Sequence, residues 1–196
     1  MRSSPKDGAT YVKAIEAQRM EKDQFFKTHP HSPIPWAARG RMQGLEYFPV
    51  DSQYRLHAKL VRHPKPEPVV LATSKGVPRN MVKYGSFAFT IAGQTRRLQV
   101  YKSLDPDGSL FVPFRDATSG GESYSAARYL DIEEHPGDDY VLDFNLAYNP
   151  YCAYSDDYVC PFPPPENRLD IPIRAGEKDF PYPPGPDAEG HAHGLE

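Results

Sequence analysis

Between Leu110 and Lys178 the chain gathers side chains able to do chemistry of several kinds. Arg115-Asp116 is followed by Ser119-Gly120-Gly121-Glu122, Tyr124 and Arg128, and later by Asn149, Cys152, Cys160, Glu166-Asn167 and Glu177-Lys178. A guanidinium offers a planar fork of donors that matches a carboxylate or phosphate. The turn formers Thr118 to Gly121 let backbone amides come close to a ligand. The pattern points to a polar small-molecule site, suited to an anionic ligand, built from loops 115–128 and 146–168. In it Arg115 and Arg128 hold the anion, Asn149 and Asn167 orient the ligand, Ser119 and Tyr124 add contacts, and Asp116, Glu122 and Glu166 are candidate acids and bases. The competing reading is a non-catalytic interaction or scaffold module, in which Arg115, Asp116, Glu122 and Arg128 form a structural ion-pair network. Neither reading names a reaction.

Several familiar chemistries are disfavoured by spacing. Ser119 lacks the Gly-x-Ser-x-Gly elbow of a hydrolase nucleophile, and the nearest histidines, His57, His63 and His135, are distant in sequence. The glycines match neither a phosphate loop nor a dinucleotide fingerprint. Cys152 and Cys160 are too far apart for a Cys-x-x-Cys motif, and zinc would need two further ligands that no nearby histidine supplies. They read as packed thiols or a loop staple. His191-x-His193 reads as solvated chain, so no metal and no cofactor is expected. The run Phe162 to Asn167, with three consecutive prolines, is more consistent with a segment fixed on its own domain, placing Glu166 and Asn167, than with a polyproline ligand.

Composition narrows the class. A net charge of -3 over 196 residues gives no basic footprint, which disfavours nucleic acid and polybasic membrane binding. No window approaches the roughly 18 apolar residues of a membrane span, and Met1 to Gln18 lacks the apolar centre of a signal peptide. The expectation is a cytoplasmic protein with a small-molecule ligand. Two cysteines are too few for a disulfide scaffold, and 22 prolines imply long connecting segments.

The elements that must position these residues are mainly β. Residues 8–27 contain no proline and are rich in helix formers, predicting a helix with Asp7 as its N-cap, lying on the outside and anchored mainly at Phe25-Phe26. Three X-Pro steps, at Pro30, Pro33 and Pro35, make the next segment an extended connector. From Tyr54 the apolar period becomes two, with Tyr54, Leu56, Ala58 and Leu60 on one face. Further strands are predicted at 69–73, in a hairpin spanning 87–101, and at 110–114, 127–132, 140–145 and 169–173. About eight short antiparallel strands make a single-domain β-barrel or β-sandwich. Residues 1–7 are expected to lack order, and 179–196 read as a Pro-rich arm ending in Leu195-Glu196, a candidate cloning remnant.

The motifs together resemble one family. Glu21 to Lys27 with Ser32-Pro33, Gly44-Leu45 before Tyr47-Phe48-Pro49, and Phe114-Arg115-Asp116-Ala117-Thr118-Ser119-Gly120 begin the pattern. Arg128-Tyr129-Leu130, Asp143-Phe144-Asn145, Asn149-Pro150-Tyr151-Cys152-Ala153-Tyr154, Cys160-Pro161 with Pro164-Pro165-Glu166-Asn167, and Ala175-Gly176-Glu177-Lys178 complete it. The chain resembles the DUF1684 family of prokaryotic proteins over about 11–178, and the resemblance implies no activity. Ala127 departs from the family pattern, which has glycine before the arginine of Arg-Tyr-Leu. Some relatives look like exported lipoproteins, a location not expected for this chain.

Overall fold

The computed structural model describes residues 5–104 and 109–182. The first element, α1 (Pro5–Thr28), starts before the expected boundary. Proline suits a first helical turn because its missing N–H has no intrahelical role there, so Asp7 lies inside that turn instead of capping it. Tyr11, Ile15, Arg19, Lys22 and Phe26, spaced by three or four, fall on one face. Ile15 and Phe26 are buried there, whereas Phe25 stays partly exposed and stacks on His29 with ring centroids 4.3 Å apart. The anchor therefore runs along the whole helix, with Phe26 alone of the Phe pair in the interior. The connector contains a short helix, α2 (Trp36–Arg39), that the prolines had hidden. Arg39 secures it by donating to Ile34 O and His29 O, both at 2.8 Å.

The rest is one six-stranded antiparallel sheet: β1 (Arg55–Leu71), β2 (Arg79–Ile91), β3 (Gln94–Ser103), β4 (Leu110–Phe114), β5 (Arg128–Ile132) and β6 (Asp139–Asp143). The spatial order is β5-β4-β3-β2-β1-β6, and the sheet curls into a half-barrel within a single domain. Strands are fewer and longer than expected. The predicted strands near Leu56 and Val69 are the two halves of β1, which continues through Pro64 and Pro66 because the register with β2 shifts between Arg62 and Glu67. Prolines lack the ladder donor and are tolerated at such a bulge, which also adds curvature. The β2–β3 hairpin turns on Ala92 and Gly93, both at positive φ (49° and 73°), the backbone of a two-residue primed turn.

Alternation places Leu60, Phe87, Phe89, Leu98, Val100 and Val112 on one face of the sheet, in the main core. The expected strand at 169–173 is absent as a ladder. Its apolar alternation holds, with Leu169, Ile173 and Ala175 in the core, but Pro172 has no donor and the segment meets the chain beyond β4 through single bonds. Leu169 donates to Arg115 O (2.8 Å) and Ala117 to Ile171 O (3.1 Å). Of the expected C-terminal arm, Phe180 is buried and meets Tyr154 edge-on at 5.0 Å. Residues 183–196, with His191, His193 and Leu195-Glu196, lie outside the described residues, as do residues 1–4. No helix among the described residues is long and apolar enough to cross a membrane.

Candidate functional site

Arg128, at the start of β5, is the largest fully buried side chain described. Its guanidinium donates to Ile173 O (2.7 Å), Glu177 O (3.3 Å), Ala175 O and Asp116 Oδ1 (3.2 Å). Asp116 in turn accepts from the Ile173 amide (2.5 Å), from Thr118 (2.9 Å) and from Ser119 Oγ (3.3 Å). Burial disfavours the charged arginine and lowers its pKa, and Asp116 opposes that shift. Arg128, Asp116 and Ser119 are thus brought together, around the chain segment 173–177.

The other sequence candidates are dispersed. Asn167 is fully buried and donates to Gln99 O (2.9 Å) and Pro113 O (2.7 Å) while accepting from the Gln99 amide (2.6 Å), so it extends the ladder between β3 and β4. Glu166 pairs with Lys83 at 3.0 Å on the surface. Glu122 forms an exposed pair with Arg174 (2.8 Å), whose hydrogen bonds lower the carboxyl's pKa. Tyr124 reaches Cys152, and Arg115 joins the fold through its backbone N–H and C=O. Asn149 donates from its amide to Glu177 Oε2 (2.8 Å) and from its side chain to Lys178 O (2.7 Å).

Glu177 is a second hub. Only 2 % exposed, it pairs with Lys22 of α1 and accepts from Tyr154 OH at 2.5 Å. Gly176 delivers it: φ is +76°, and an added Cβ would stand 2.4 Å from Ala147 O. Glycine alone combines that backbone with that clearance. Arg19 donates to Phe48 O (2.9 Å) and Tyr11 to both Asp143 oxygens (2.9 and 2.7 Å), so polar contacts dock α1 along its length. The pKa of Tyr11 rises, through burial first and then the Asp143 hydrogen bond.

Beside this hub lies a groove of about 610 Å³ between α1, the distal ends of β2 to β5 and the loop at 148–161. Its walls are aromatic and apolar: Phe26, Met81, Phe111, Tyr129, Tyr148 and Tyr158 among them. Lys22 and Arg79 supply positive charge, and Asp131 one carboxyl. Tyr129 is fixed by donating to Pro161 O (2.5 Å), and Tyr148 by donating to Asp131 Oδ2 (2.5 Å). Asp131 still reaches solvent, yet the packed side chains around it withdraw enough water to raise its pKa, with the Tyr148 bond pulling it back. Burial likewise raises the pKa of Tyr129 and Tyr148, keeping both phenols protonated. The loop 146–168 contributes to this groove, whereas 115–128 lines none of it. Among the described residues, no group of three or more His, Cys, Asp or Glu could hold a metal ion.

The profile of the family described as "Protein of unknown function (DUF1684)" matches residues 41–178. The chain belongs to the DUF1684 family. A solution NMR structure of an uncharacterised protein from Haloarcula marismortui is similar, at 40% identity and a TM-score of 0.69, covering 89% of this chain and 97% of that one. No curated protein matches. No activity attaches to the family's description or to the name of the structural relative.

In this DUF1684 chain the groove residues Lys22, Arg79, Asp131, Tyr129, Tyr148 and Tyr158 escaped the sequence reading. Lys22 sits in the Glu21 to Lys27 run that carried the family resemblance, and Tyr129 within Arg128-Tyr129-Leu130, so a signal was present. Arg79 and Asp131 had none, being single charges on strands.

Proposed function

We propose that the protein binds a small organic anion with a flat, apolar body in the groove beside α1. The observation that carries this reading is the convergence of Lys22 and Arg79 with tyrosine and phenylalanine walls in one concavity of about 610 Å³. That volume suits a metabolite-sized ligand, and charged and hydroxyl groups set between aromatic walls would orient one. Arg79 draws the anion, Lys22 lines the wall beside it while paired with Glu177, and Tyr148 and Tyr158 flank the body of the ligand. Asp131, held by Tyr148, is the candidate proton donor if the site is catalytic. A cytoplasmic location is part of this reading, supported by the two unbridged cysteines. The test is calorimetric titration with phenyl phosphate and 4-hydroxybenzoate. Binding by the native chain, weakened at least about tenfold in Arg79→Glu with unchanged melting, is expected; equal affinities in the two proteins would sink the proposal.

A second reading, a scaffold module, is favoured by the Arg128–Asp116 web and by Asn167, which spend their polar atoms on the chain itself. On that reading alanine at these positions loosens the fold, and no small anion binds.

A further inference from the structure

Cys152 and Cys160 are unbridged thiols, the first half-buried and the second buried at the groove wall. Although seven residues separate them, the Cys152 amide donates to the Cys160 sulfur across 3.3 Å. That contact sets the two side chains in the same corner of the loop, and their thiols are hydrogen-bonded neighbours. Cys160 is fixed from its other side, its amide donating to Ser74 Oγ (3.2 Å) and its carbonyl accepting from the Ser74 amide (3.1 Å). Tyr124 OH lies 3.7 Å from the Cys152 sulfur. Two neighbouring thiols, one of them facing a hydroxyl donor and only half-buried, the other buried, make a pair with unequal roles.

We propose that Cys152 and Cys160 form a redox-active dithiol site for low-molecular-weight disulfides, with Cys152 attacking and Cys160 resolving. The Cys152 thiolate attacks one sulfur of R–S–S–R; that bond breaks, and the departing thiolate takes a proton from water. Cys160 then gives up its proton to solvent and attacks the Cys152 sulfur of the mixed disulfide, expelling the second thiolate. Two protein thiols are oxidised, one small disulfide is reduced to two thiols, and a small dithiol reverses the process. The order follows from exposure, Cys152 being half-buried and Cys160 buried, and ionisation runs the same way. Hydrogen bonds from Cys160, the larger cause, and Tyr124 lower Cys152 to about 7 against the effect of burial, while the same contact pushes Cys160 up. The titratable groups facing Cys152 are Cys160, Tyr124 and Tyr129, with Asp179 beyond Tyr124. Small disulfides are the fitting partners because Cys152 is half-buried and Cys160 buried, which screens the pair from a second folded protein.

The reduced full-length chain is incubated with oxidised glutathione, and its digest is analysed by mass spectrometry. The expected product is an internal Cys152–Cys160 bridge; Cys160→Ala accumulates a mixed disulfide on Cys152, and Cys152→Ala leaves Cys160 reacting at least about tenfold slower near neutral pH. In Tyr124→Phe the pH midpoint of the Cys152 rate moves up, a shift that mere packing would not produce. Circular dichroism confirms that each variant is folded. Equal rates at the two thiols, two glutathione adducts without a bridge, or reaction only after unfolding in urea would each overturn the proposal.

Discussion

Arg128 and Arg115 look alike in the sequence, both being arginines beside the Gly120-Gly121 turn, yet their surroundings differ. Arg128 is buried against Asp116 and three main-chain carbonyls, whereas Arg115 is half-buried and tied in by its backbone. Removing one partner of a buried pair leaves an uncompensated charge and costs about 3–5 kcal/mol, while a surface truncation costs under about 0.5 kcal/mol. Arg128→Ala should therefore lose most of that larger amount in urea unfolding and Arg115→Ala almost none; comparable losses would contradict the web. Asn167→Ala should cost about 2–4 kcal/mol, since it strands Gln99 N, Gln99 O and Pro113 O in the interior. These residue types stand out in the sequence as a mixed polar cluster. Their partners stand as far as 68 positions away in the chain, so side-chain role was not legible from spacing. At the same scale Asp131 gives a pH prediction. Its folded pKa is raised by burial, so it becomes an anion beside the ligand at higher pH than an ordinary aspartate does. Anion affinity should fall as pH rises through the titration of Asp131, and Asp131→Asn should flatten the profile. A native profile as flat as that of the variant would count against Asp131 lying beside the bound anion.

Elements were legible where one physical rule dominated. The alternation Leu56, Ala58, Leu60 predicts a half-buried strand, and β1 buries that face. Two rules in conflict hid the rest. Prolines at 64 and 66 signalled a break, but a bulge accommodates them; 169–173 kept the strand period without the ladder. The incomplete apolar stripe of α1 had a cause invisible in hydropathy, because Tyr11, Arg19 and Lys22 dock it through hydrogen bonds and charge. Gly176→Ala tests this arrangement. The methyl group would collide with Ala147 O and force strain at positive φ, moving Glu177 away from Lys22 and Tyr154. The expected result is a loss of about 2 kcal/mol or more and faster proteolysis within α1. An unchanged melting curve would show that Glu177 does not hold the helix.

For the molecule as a whole, a mainly β single domain with one outer helix followed from period and composition. The groove did not, because its walls come from α1, β2 to β5 and the 148–161 loop, segments far apart in the chain that meet only in the fold. The sequence candidates clustered along the chain, whereas the groove residues cluster in space. Binding of an organic anion there is the central claim, and an amide-detected NMR titration of the full chain with phenyl phosphate tests it most directly. The predicted result is saturable shifts confined to Lys22, Arg79, Phe111, Asp131, Tyr148 and Tyr158 and their neighbours, needing at least about tenfold more ligand in Arg79→Glu. Shifts centred on Arg115, Glu122 and Arg174 instead, or no saturable shifts at all, would contradict it.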